Sequence, residues 1–367
     1  MPTVCLNMIV KDEAPVIRRC LASVKPHVDR WVVVDTGSTD GTQDLVREAM
    51  AGVPGELHER PWVDFGHNRT EALRLAEGRG DYLLTLDADE EFVAPPDWAW
   101  PALTEESYDL DLRYANLRYA RVALVSTALP WRWEGVLHEY LEAGRPVSRG
   151  RVHGAHILVR AEGARSRDPR KFEKDARLLE AALEREPGNA RYRFYLAQSW
   201  RDAGDRARAL AAYDARAAMG GWDEERYVAR LEGARCAEAL GRPAEEVVFR
   251  LLQAHQARPG RAEALVELAR IFRLREEHHL AHLFAREATD LPPCADRLFV
   301  EPQAAWRALD EASIAAYWTG RMEESRSFAE AALAHPEATA AELPRVRANL
   351  AFALAALGPA PGAGPAS

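Results

Sequence analysis

Two acidic residues follow directly on an apolar run in the segment GDYLLTLDADEEF. The run, residues 82–86, is a predicted strand, and Asp87 and Asp89 come straight after it. Carboxylates two residues apart in extended chain point to the same side. At the carboxyl end of a parallel strand, such a pair is placed to hold Mg²⁺ or Mn²⁺, which prefer oxygen ligands. The structural alternative is a helix N-cap or a solvated turn.

A third acid, Asp35, ends the apolar run WVVVD and precedes the turn sequence TGSTDGT. An acid at a strand end beside a glycine turn is suited to hydrogen-bonding the ribose or base of a nucleotide. The structural alternative is a tight turn before a helix capped by Thr39 or Asp40. The segment is not a P-loop, because no GKS or GKT follows it.

The elements that would position these acids alternate along the first 160 residues. Apolar runs at 3–10, 31–35 and 82–86 alternate with amphipathic stretches at 14–24, 42–50 and 68–77. Connections this short predict a mainly parallel, Rossmann-like sheet with helices on both faces, and ligands bind beyond the carboxyl ends of such strands. Strand-like segments at 108–125, 135–141 and 152–159 predict antiparallel strands added at the sheet edge.

The last 200 residues are Ala-rich, predicted helical, and interrupted by Pro and Gly. Pro187, Pro259 and Pro292 recur near multiples of the roughly 34-residue period of tetratricopeptide repeats. This pattern predicts an α-solenoid stabilised by stacking between neighbouring repeats. The predicted domains are therefore an α/β domain at 1–160, a linker at 161–170, helical repeats at 171–357 and a disordered tail at 358–367.

Composition excludes several classes of protein. The 367 residues carry a net charge of −9, without the basic surplus that nucleic-acid binding requires. No apolar run approaches the roughly 20 residues of a membrane span, and we expect a cytoplasmic protein. Four scattered cysteines, Cys5, Cys20, Cys236 and Cys294, are expected to be buried apolar residues rather than disulfide or zinc ligands.

Taken together and in order, four segments resemble the family 2 glycosyltransferases, which have the GT-A type nucleotide-sugar-binding fold. The segments are CLNMIVKDEAPVIRRCLASV, WVVVDTGSTDGT, WVDFGHNRTEAL and GDYLLTLDADEEF. The resemblance covers about residues 1–160. The predicted repeats match the subgroup of the family that has a tetratricopeptide-type C-terminal region.

On the donor side, the resemblance implies that Asp35 contacts the nucleoside, with Lys11 and Glu13 near the base. Arg69 matches the family arginine that approaches the nucleotide. The family often has Asn where this chain has Thr70, so the role of that Asn is lost or reassigned. The structural alternative for Arg69 is a surface ion pair with Glu71 or Asp64.

The resemblance also implies a metal ion. Asp87 would face the ribose or the ion, and Asp89 would be the principal ligand of Mn²⁺ or Mg²⁺. Many GT-A enzymes complete the metal shell with a late histidine, and His156 is the better match here. The alternative for His156 is an ordinary hydrogen-bonded residue at a strand end.

On the acceptor side, the family has a glycine-containing loop followed by an acidic motif that supplies the catalytic base. Gly135, His138 and Glu139 lie at the matching place in WRWEGVLHEYLE. Glu139 is the predicted base, but the family has an acid where His138 stands, so His138 is a second candidate and Glu134 a third. Trp131 and Trp133 are predicted as either a sugar platform or core residues.

The resemblance therefore implies a metal-dependent, inverting glycosyltransferase that uses a nucleotide-sugar. UDP is favoured as the nucleotide, with GDP and deoxythymidine diphosphate as alternatives. The repeats would present a peptide, protein or glycan acceptor, or mediate self-association. The competing hypothesis is a catalytically silent, nucleotide-sugar-binding scaffold for protein interaction. A nucleotidyltransferase is disfavoured, since VKDEAPV is not a basic glycine-rich loop.

Overall fold

The computed structural model describes residues 2–114, 117–292, 298, 301 and 303–358. The chain divides into two compact units, Met1–Arg185 and Glu186–Ser367. The first unit therefore includes segment 161–170 and the helix that follows it. Among the described residues, no helix is both long enough and apolar enough to cross a membrane.

The first unit is built on one eight-stranded sheet and one small hairpin. Its strands are β1 (Val4–Val10), β2 (Arg30–Asp35), β3 (Gly55–Glu59), β4 (Tyr82–Thr85), β5 (Glu90–Val93), β6 (Ser107–Tyr114), β7 (Leu117–Ser126), β8 (Arg132–Glu134), β9 (Tyr140–Glu142) and β10 (Arg149–Val159). Its α-helices are α1 (Ile17–Val24), α2 (Thr42–Ala49), α3 (Phe65–Leu75) and α4 (Lys171–Arg185). The order in the large sheet is β3-β2-β1-β4-β7-β6-β10-β5, and β8 pairs with β9.

The sheet is buried on both faces, which explains its nearly continuous apolar strands. Leu6 and Met8 of β1 pack in the cluster that contains residues of α1 and α2, whereas Cys5 packs on the opposite face with Leu73 of α3. Strands β1, β2, β3 and β4 are parallel, and Val10 pairs with Asp35. The residues after β1, β2 and β4 therefore meet at one edge, as predicted.

Two strand predictions in the second half of this unit are wrong. The segment 108–125 is a hairpin of β6 and β7 rather than one run, and β7 joins β4 to the rest of the sheet. The segment 135–141 is mostly the turn between β8 and β9. Gly135 at φ 111° and His138 at φ 53° have left-handed backbone conformations, which end the strand there.

Helix α3 holds the β8–β9 hairpin close to the sheet. A Cβ atom on Gly66 would lie 2.4 Å from the carbonyl oxygen of Gly135, so only glycine permits this approach. The hydroxyl of Thr70 accepts a hydrogen bond from the backbone N–H of Trp133 at 2.9 Å. Thr70 therefore positions the hairpin, which is the local role of the residue where the family often has Asn.

The second unit consists of helices packed in sequence. They are α5 (Ala190–Asp202), α6 (Arg206–Ala218), α7 (Asp223–Ala239), α8 (Ala244–Ala257), α9 (Glu263–Leu274), α10 (His278–Thr289), α11 (Ala304–Trp318), α12 (Met322–Ala334) and α13 (Leu343–Leu357). Each packs on the next, and α7, α9 and α11 also contact alternate neighbours. Buried Ala269, Ala285 and Ala312 pack together in this unit. The predicted fold class, an α/β unit followed by helical repeats, is confirmed.

Individual predictions about burial have different outcomes. Cys5, Cys20 and Cys236 are buried free thiols, as predicted, and Cys294 lies outside the described residues. Trp222, at the N-cap of α7, is 54% exposed. The predicted tail lies outside the described residues except for Gly358.

Candidate functional site

Arg69 is the residue that links the two predicted sides of the site. Its Nη2 donates a hydrogen bond to Asp87 Oδ1 at 2.6 Å, and its Nε lies 2.6 Å from Glu139 Oε1. Its guanidinium also lies 5.3 Å from the ring centroid of Trp133. Of the two acids considered as its surface partners, Glu71 pairs with Arg60, and the Asp64 carboxylate accepts a hydrogen bond from the backbone N–H of His67.

Arg121, on β7, is a second arginine beside Asp87. Its Nη2 lies 2.8 Å from Glu90 Oε2, and its Nη1 lies 4.0 Å from Asp87 Oδ2. Burial acts to raise the pKa of Asp87, but Arg69 and Arg121 outweigh it and hold that pKa below its usual value. Glu90 is more deeply buried, and burial raises its pKa despite Arg121. Asp87 is therefore a fixed carboxylate between two guanidinium groups.

These residues surround a cavity of about 240 Å³. The lining residues come from α3, from β4 and the residues after it, from β7, from the β8–β9 hairpin and from segment 161–170: Phe65, Arg69, Thr85, Leu86, Asp87, Arg121, Trp133, Leu137, His138, Glu139 and Arg165. The structure thus brings four predicted site residues, Arg69, Asp87, His138 and Glu139, to one place.

The turn between β8 and β9 places both candidate bases at this cavity. Glu139 is held by Arg69 and is only 11% exposed, whereas His138 lies at the exposed, left-handed position of the turn. Glu134 forms an ion pair with Arg132 and does not line the cavity. The two predicted tryptophans also differ in position. Trp131 is a buried core residue, whereas Trp133 lines the cavity.

Asp35 lies at the carboxyl end of β2, beside the end of β1. Its Oδ1 accepts hydrogen bonds from the backbone N–H groups of Gly37 and Ser38, both at 2.9 Å, which forms the tight turn of the structural alternative. Its Oδ2 is buried and has no hydrogen-bond partner among the described residues. An unpaired buried oxygen costs about 1–3 kcal/mol, so a donor from a ligand would stabilise it.

Glu13 and Asp89 meet beneath residues 161–167, which we call the strap. The N–H of Gly163 donates to Asp89 Oδ2 at 3.1 Å, and the N–H of Ala164 donates to the Glu13 carboxylate at 3.0 Å. A Cβ atom on Gly163 would lie 3.1 Å from one carboxylate and 3.2 Å from the other, so glycine permits this contact. Burial, reinforced by the charges of Asp89 and Asp87, raises the pKa of Glu13 to about 7.

The two remaining predicted residues have different positions. Lys11 is exposed just beyond β1, whose last residue, Val10, pairs with Asp35. His156 pairs with Val93 across β10 and β5, whereas Val159 pairs with Glu90, next to Asp89. Since a strand rises about 3.3 Å per residue, His156 lies about 10 Å along the strand from the Glu90 position. The structure does not bring His156 together with Asp89, because the histidine precedes the aligned end of β10 by three residues.

The carboxylates suit Mg²⁺ or Mn²⁺ by donor type. Asp87, Asp89 and Glu13 offer the oxygen ligands that these ions prefer. Over the residues that the structure describes, no group of three or more His, Cys, Asp or Glu side chains has a metal-binding arrangement. Mg²⁺ is commonly held by one or two carboxylates together with substrate phosphates, so the acids present fit an ion that arrives with a diphosphate.

Residues 5–123 match the family model described as Glycosyl transferase family 2. The first unit contains a family 2 glycosyltransferase domain. The matched range includes β1 to β6, most of β7 and Asp35, Arg69, Asp87 and Asp89, but it ends before the turn that holds Glu139. The resemblance stated from the sequence is confirmed.

Relatives of this chain match it over about a quarter of its length. A TPR repeat-containing protein of Synechococcus elongatus is 44% identical over 107 residues, which are 29% of this chain and 24% of that protein. A Rickettsia felis protein named as an uncharacterized glycosyltransferase is 35% identical over 91 residues, 25% of this chain and 30% of that protein. The chain thus covers less than a third of the length of either relative.

A solved structure similar to this chain is a tetratricopeptide repeat protein from Parabacteroides merdae. The two are 17% identical with a TM-score of 0.37, over 51% of this chain and 68% of that one.

Phe65, Arg121 and Arg165 are among the lining residues that sequence reasoning missed. Arg121 is a charged residue within the strand RVALV, and that interruption was the available signal. Phe65 lies within the segment WVDFGHNRTEAL, where its type and position are those of an ordinary helix residue. Arg165 lies in the predicted linker, where nothing in the sequence indicates a contact with the site.

Proposed function

We propose that this chain is a metal-dependent, inverting glycosyltransferase that transfers a sugar from a nucleotide-sugar, with UDP favoured as the nucleotide. The observation that carries the proposal is the pairing of Arg69 with both Asp87 and Glu139 around one cavity. A nucleotide-binding scaffold needs the donor side alone. Here one arginine also fixes the predicted base of the acceptor side.

The residues of the first unit have distinct parts in this reaction. The unpaired Oδ2 of Asp35 would accept a hydrogen bond from the nucleoside. Lys11 and Glu13 would lie near the base. Asp89 and Asp87 would hold Mn²⁺ or Mg²⁺, which when bound neutralises charge that develops on the leaving diphosphate.

The acceptor step needs a proton acceptor at the cavity. The acceptor oxygen or sulfur would form a bond to the far face of the anomeric carbon while the bond from that carbon to the diphosphate oxygen breaks. The acceptor proton would pass to Glu139, and the nucleoside diphosphate would leave with the bonding electrons. One displacement inverts the anomeric centre, and a positioned base contributes about 10² to 10⁴ in rate.

The acceptor is proposed to be a peptide, protein or glycan presented by the helical unit. Solenoids of helical repeats offer extended surfaces that suit such ligands.

The full chain should be incubated with UDP-, GDP- and deoxythymidine diphosphate sugars in the presence of Mn²⁺ or Mg²⁺. The expected result is slow release of one nucleoside diphosphate through transfer to water, with the released sugar in the inverted anomeric form by NMR. Release of the retained anomer would contradict the inverting mechanism. Binding of a nucleotide-sugar without any release, with or without added peptides, would instead favour the silent scaffold.

A further inference from the structure

The strap brings a third arginine to the cavity. Arg165 lines it together with Arg69 and Arg121. Its guanidinium lies 4.6 Å from the ring centroid of Phe65, another lining residue, and 2.5 Å from the carboxylate of Asp175 on α4. Arg165 is therefore held in one place by a ring on one helix and a carboxylate on another.

The strap is itself fixed on both sides of Arg165. Before it, the N–H groups of Gly163 and Ala164 bond to Asp89 and Glu13. After it, Arg167 Nη2 donates to the carbonyl oxygen of Asp12 at 3.2 Å. The position of Arg165 is thus tied to the carboxylates that are proposed to approach the metal ion and the nucleotide.

The three arginines differ in where their counter-charges lie. Arg69 is paired with Asp87 and Glu139, which both line the cavity. Arg121 is paired with Glu90, which does not line the cavity, but it also lies 4.0 Å from the lining carboxylate of Asp87. The partner of Arg165 is Asp175, which is not among the lining residues. The side chain of Arg165 is also 37% exposed, compared with 14% for Arg69. The lining therefore contains three arginines but two carboxylates, Asp87 and Glu139.

We propose that Arg165 binds the diphosphate of the nucleotide-sugar donor, an inference that rests on the proposed function. A guanidinium presents its N–H donors in a planar fork that matches phosphate oxygens, and it stays charged at any physiological pH. Phe65 and Asp175 are positioning residues that set the direction of this fork. The segment that the sequence predicts as a linker is, on this account, part of the donor site.

The test is calorimetric titration of the full chain with UDP in the presence of Mn²⁺, and separately with inorganic pyrophosphate. Arg165→Gln is expected to weaken both affinities about tenfold. Arg165→Lys, which keeps the charge without the fork, is expected to weaken them less. Arg170→Gln is the matched control, since Arg170 is exposed and lies outside the cavity lining. Uridine should bind the wild type and Arg165→Gln equally.

The outcomes separate this inference from the proposed function. Equal affinity of wild type and Arg165→Gln for both UDP and pyrophosphate would overturn the role of Arg165. Arg165-dependent binding of pyrophosphate without any binding of nucleotides would support the anion site and contradict the nucleotide-sugar donor. If Arg165→Gln does not fold, unchanged affinities in Arg165→Lys would count against the proposed fork.

Discussion

Two glutamates, Glu13 in the α/β unit and Glu267 in the helical unit, have opposite electrostatic surroundings. Glu13 lies near Asp89 and Asp87 and accepts a hydrogen bond from the neutral Ala164 amide, and its pKa is raised to about 7. Glu267, on α9, contacts Arg235, Arg270 and Arg307 at 2.9, 2.7 and 3.2 Å. Burial acts to raise the pKa of Glu267, but these arginines outweigh it and lower the pKa to about 2.

The difference indicates two uses of buried charge. In the helical unit, arginines on α7, α9 and α11 meet Glu267 and join neighbouring repeats, so the charges contribute to stability. In the α/β unit, acids are gathered near one another at the strand ends, which opposes folding unless a cation or a donor from a ligand offsets the repulsion. Substitutions in the two regions should therefore affect different properties.

The largest expected effect is on turnover, from Glu139→Gln. Loss of the base should lower the release of nucleoside diphosphate from the donor about 10² to 10⁴-fold, with a small change in melting temperature because Arg69 keeps Asp87. His138→Gln is the matched control from the same turn and should retain most of the rate. If His138→Gln lowered the rate of nucleoside diphosphate release more than Glu139→Gln, the base would be assigned to His138.

The largest expected effect on stability is from Glu267→Gln. Three arginines would lose a shared carboxylate, so we expect a loss of about 2–3 kcal/mol in unfolding free energy at pH 7, measured by denaturant titration of the helical signal. Glu323→Gln, at an exposed pair on α12, should change stability little. Turnover of the folded Glu267→Gln protein should match wild type.

The effect of Glu267→Gln on stability should depend on pH. Because the folded-state pKa of Glu267 is lowered from 4.5 to about 2, its stabilisation is fully present above pH 4.5 and is lost as the pH falls towards 2. The stability difference between wild type and Glu267→Gln should therefore narrow below about pH 4.5. A difference that stays constant down to pH 3 would show that the arginines do not act through this charge.

For Glu13→Gln, we expect the stability difference from wild type to depend on pH with the opposite sign. A folded-state pKa raised from 4.5 to about 7 makes the wild type lose stability as the pH rises through that range. Glu13→Gln, which keeps an acceptor for the Ala164 amide, should melt at a higher temperature than wild type at pH 8 and at the same temperature at pH 4. Glu162→Gln, an exposed strap residue, should show no such dependence. If wild type and Glu13→Gln differed in melting temperature by the same amount at pH 4 and at pH 8, the result would contradict repulsion among Glu13, Asp87 and Asp89.

The smallest expected effect concerns the position of the hairpin. Thr70→Val removes the hydroxyl that accepts from the Trp133 N–H, which is worth about 1 kcal/mol or roughly fivefold in donor turnover. Thr70→Ser keeps the hydroxyl and should restore most of the rate. Equal rates for the valine and serine variants would show that this hydrogen bond does not position Glu139.

The sequence was sufficient for features that depend on local pattern. Alternating apolar runs predicted β1, β2 and β4 and therefore the strand ends where Asp35, Asp87 and Asp89 meet. The spacing of Pro187, Pro259 and Pro292 in an Ala-rich region predicted the helical unit. Such features rest on periodicity and chain connectivity, which residue types report directly.

Features that depend on contacts distant in sequence could not be predicted. Residues 135–139 were predicted as part of a strand, but they form a turn in which Gly135 and His138 have left-handed backbone conformations. The close packing of Gly135 on Gly66 of α3 accompanies this turn, and no local pattern reports that contact. Arg121 reaches the cavity from β7, and Arg165 reaches it from the strap. No local sequence pattern places either β7 or the strap beside the cavity. Likewise, the resemblance to the family implied that His156 completes the metal shell with Asp89, but the pairing of β10 with β5 places His156 opposite Val93, three residues from the partner of Glu90.

The most direct test of the account is the thermal shift produced by UDP with and without Mn²⁺. A ligand present at 100 times its dissociation constant adds about 2.7 kcal/mol to stability, which is readily measured as a rise in melting temperature. We predict a Mn²⁺-dependent shift in wild type and in Glu267→Gln, and no shift in Asp89→Ala. No shift in wild type with any nucleoside diphosphate, or an equal shift in Asp89→Ala, would contradict a metal-dependent donor site at these strand ends.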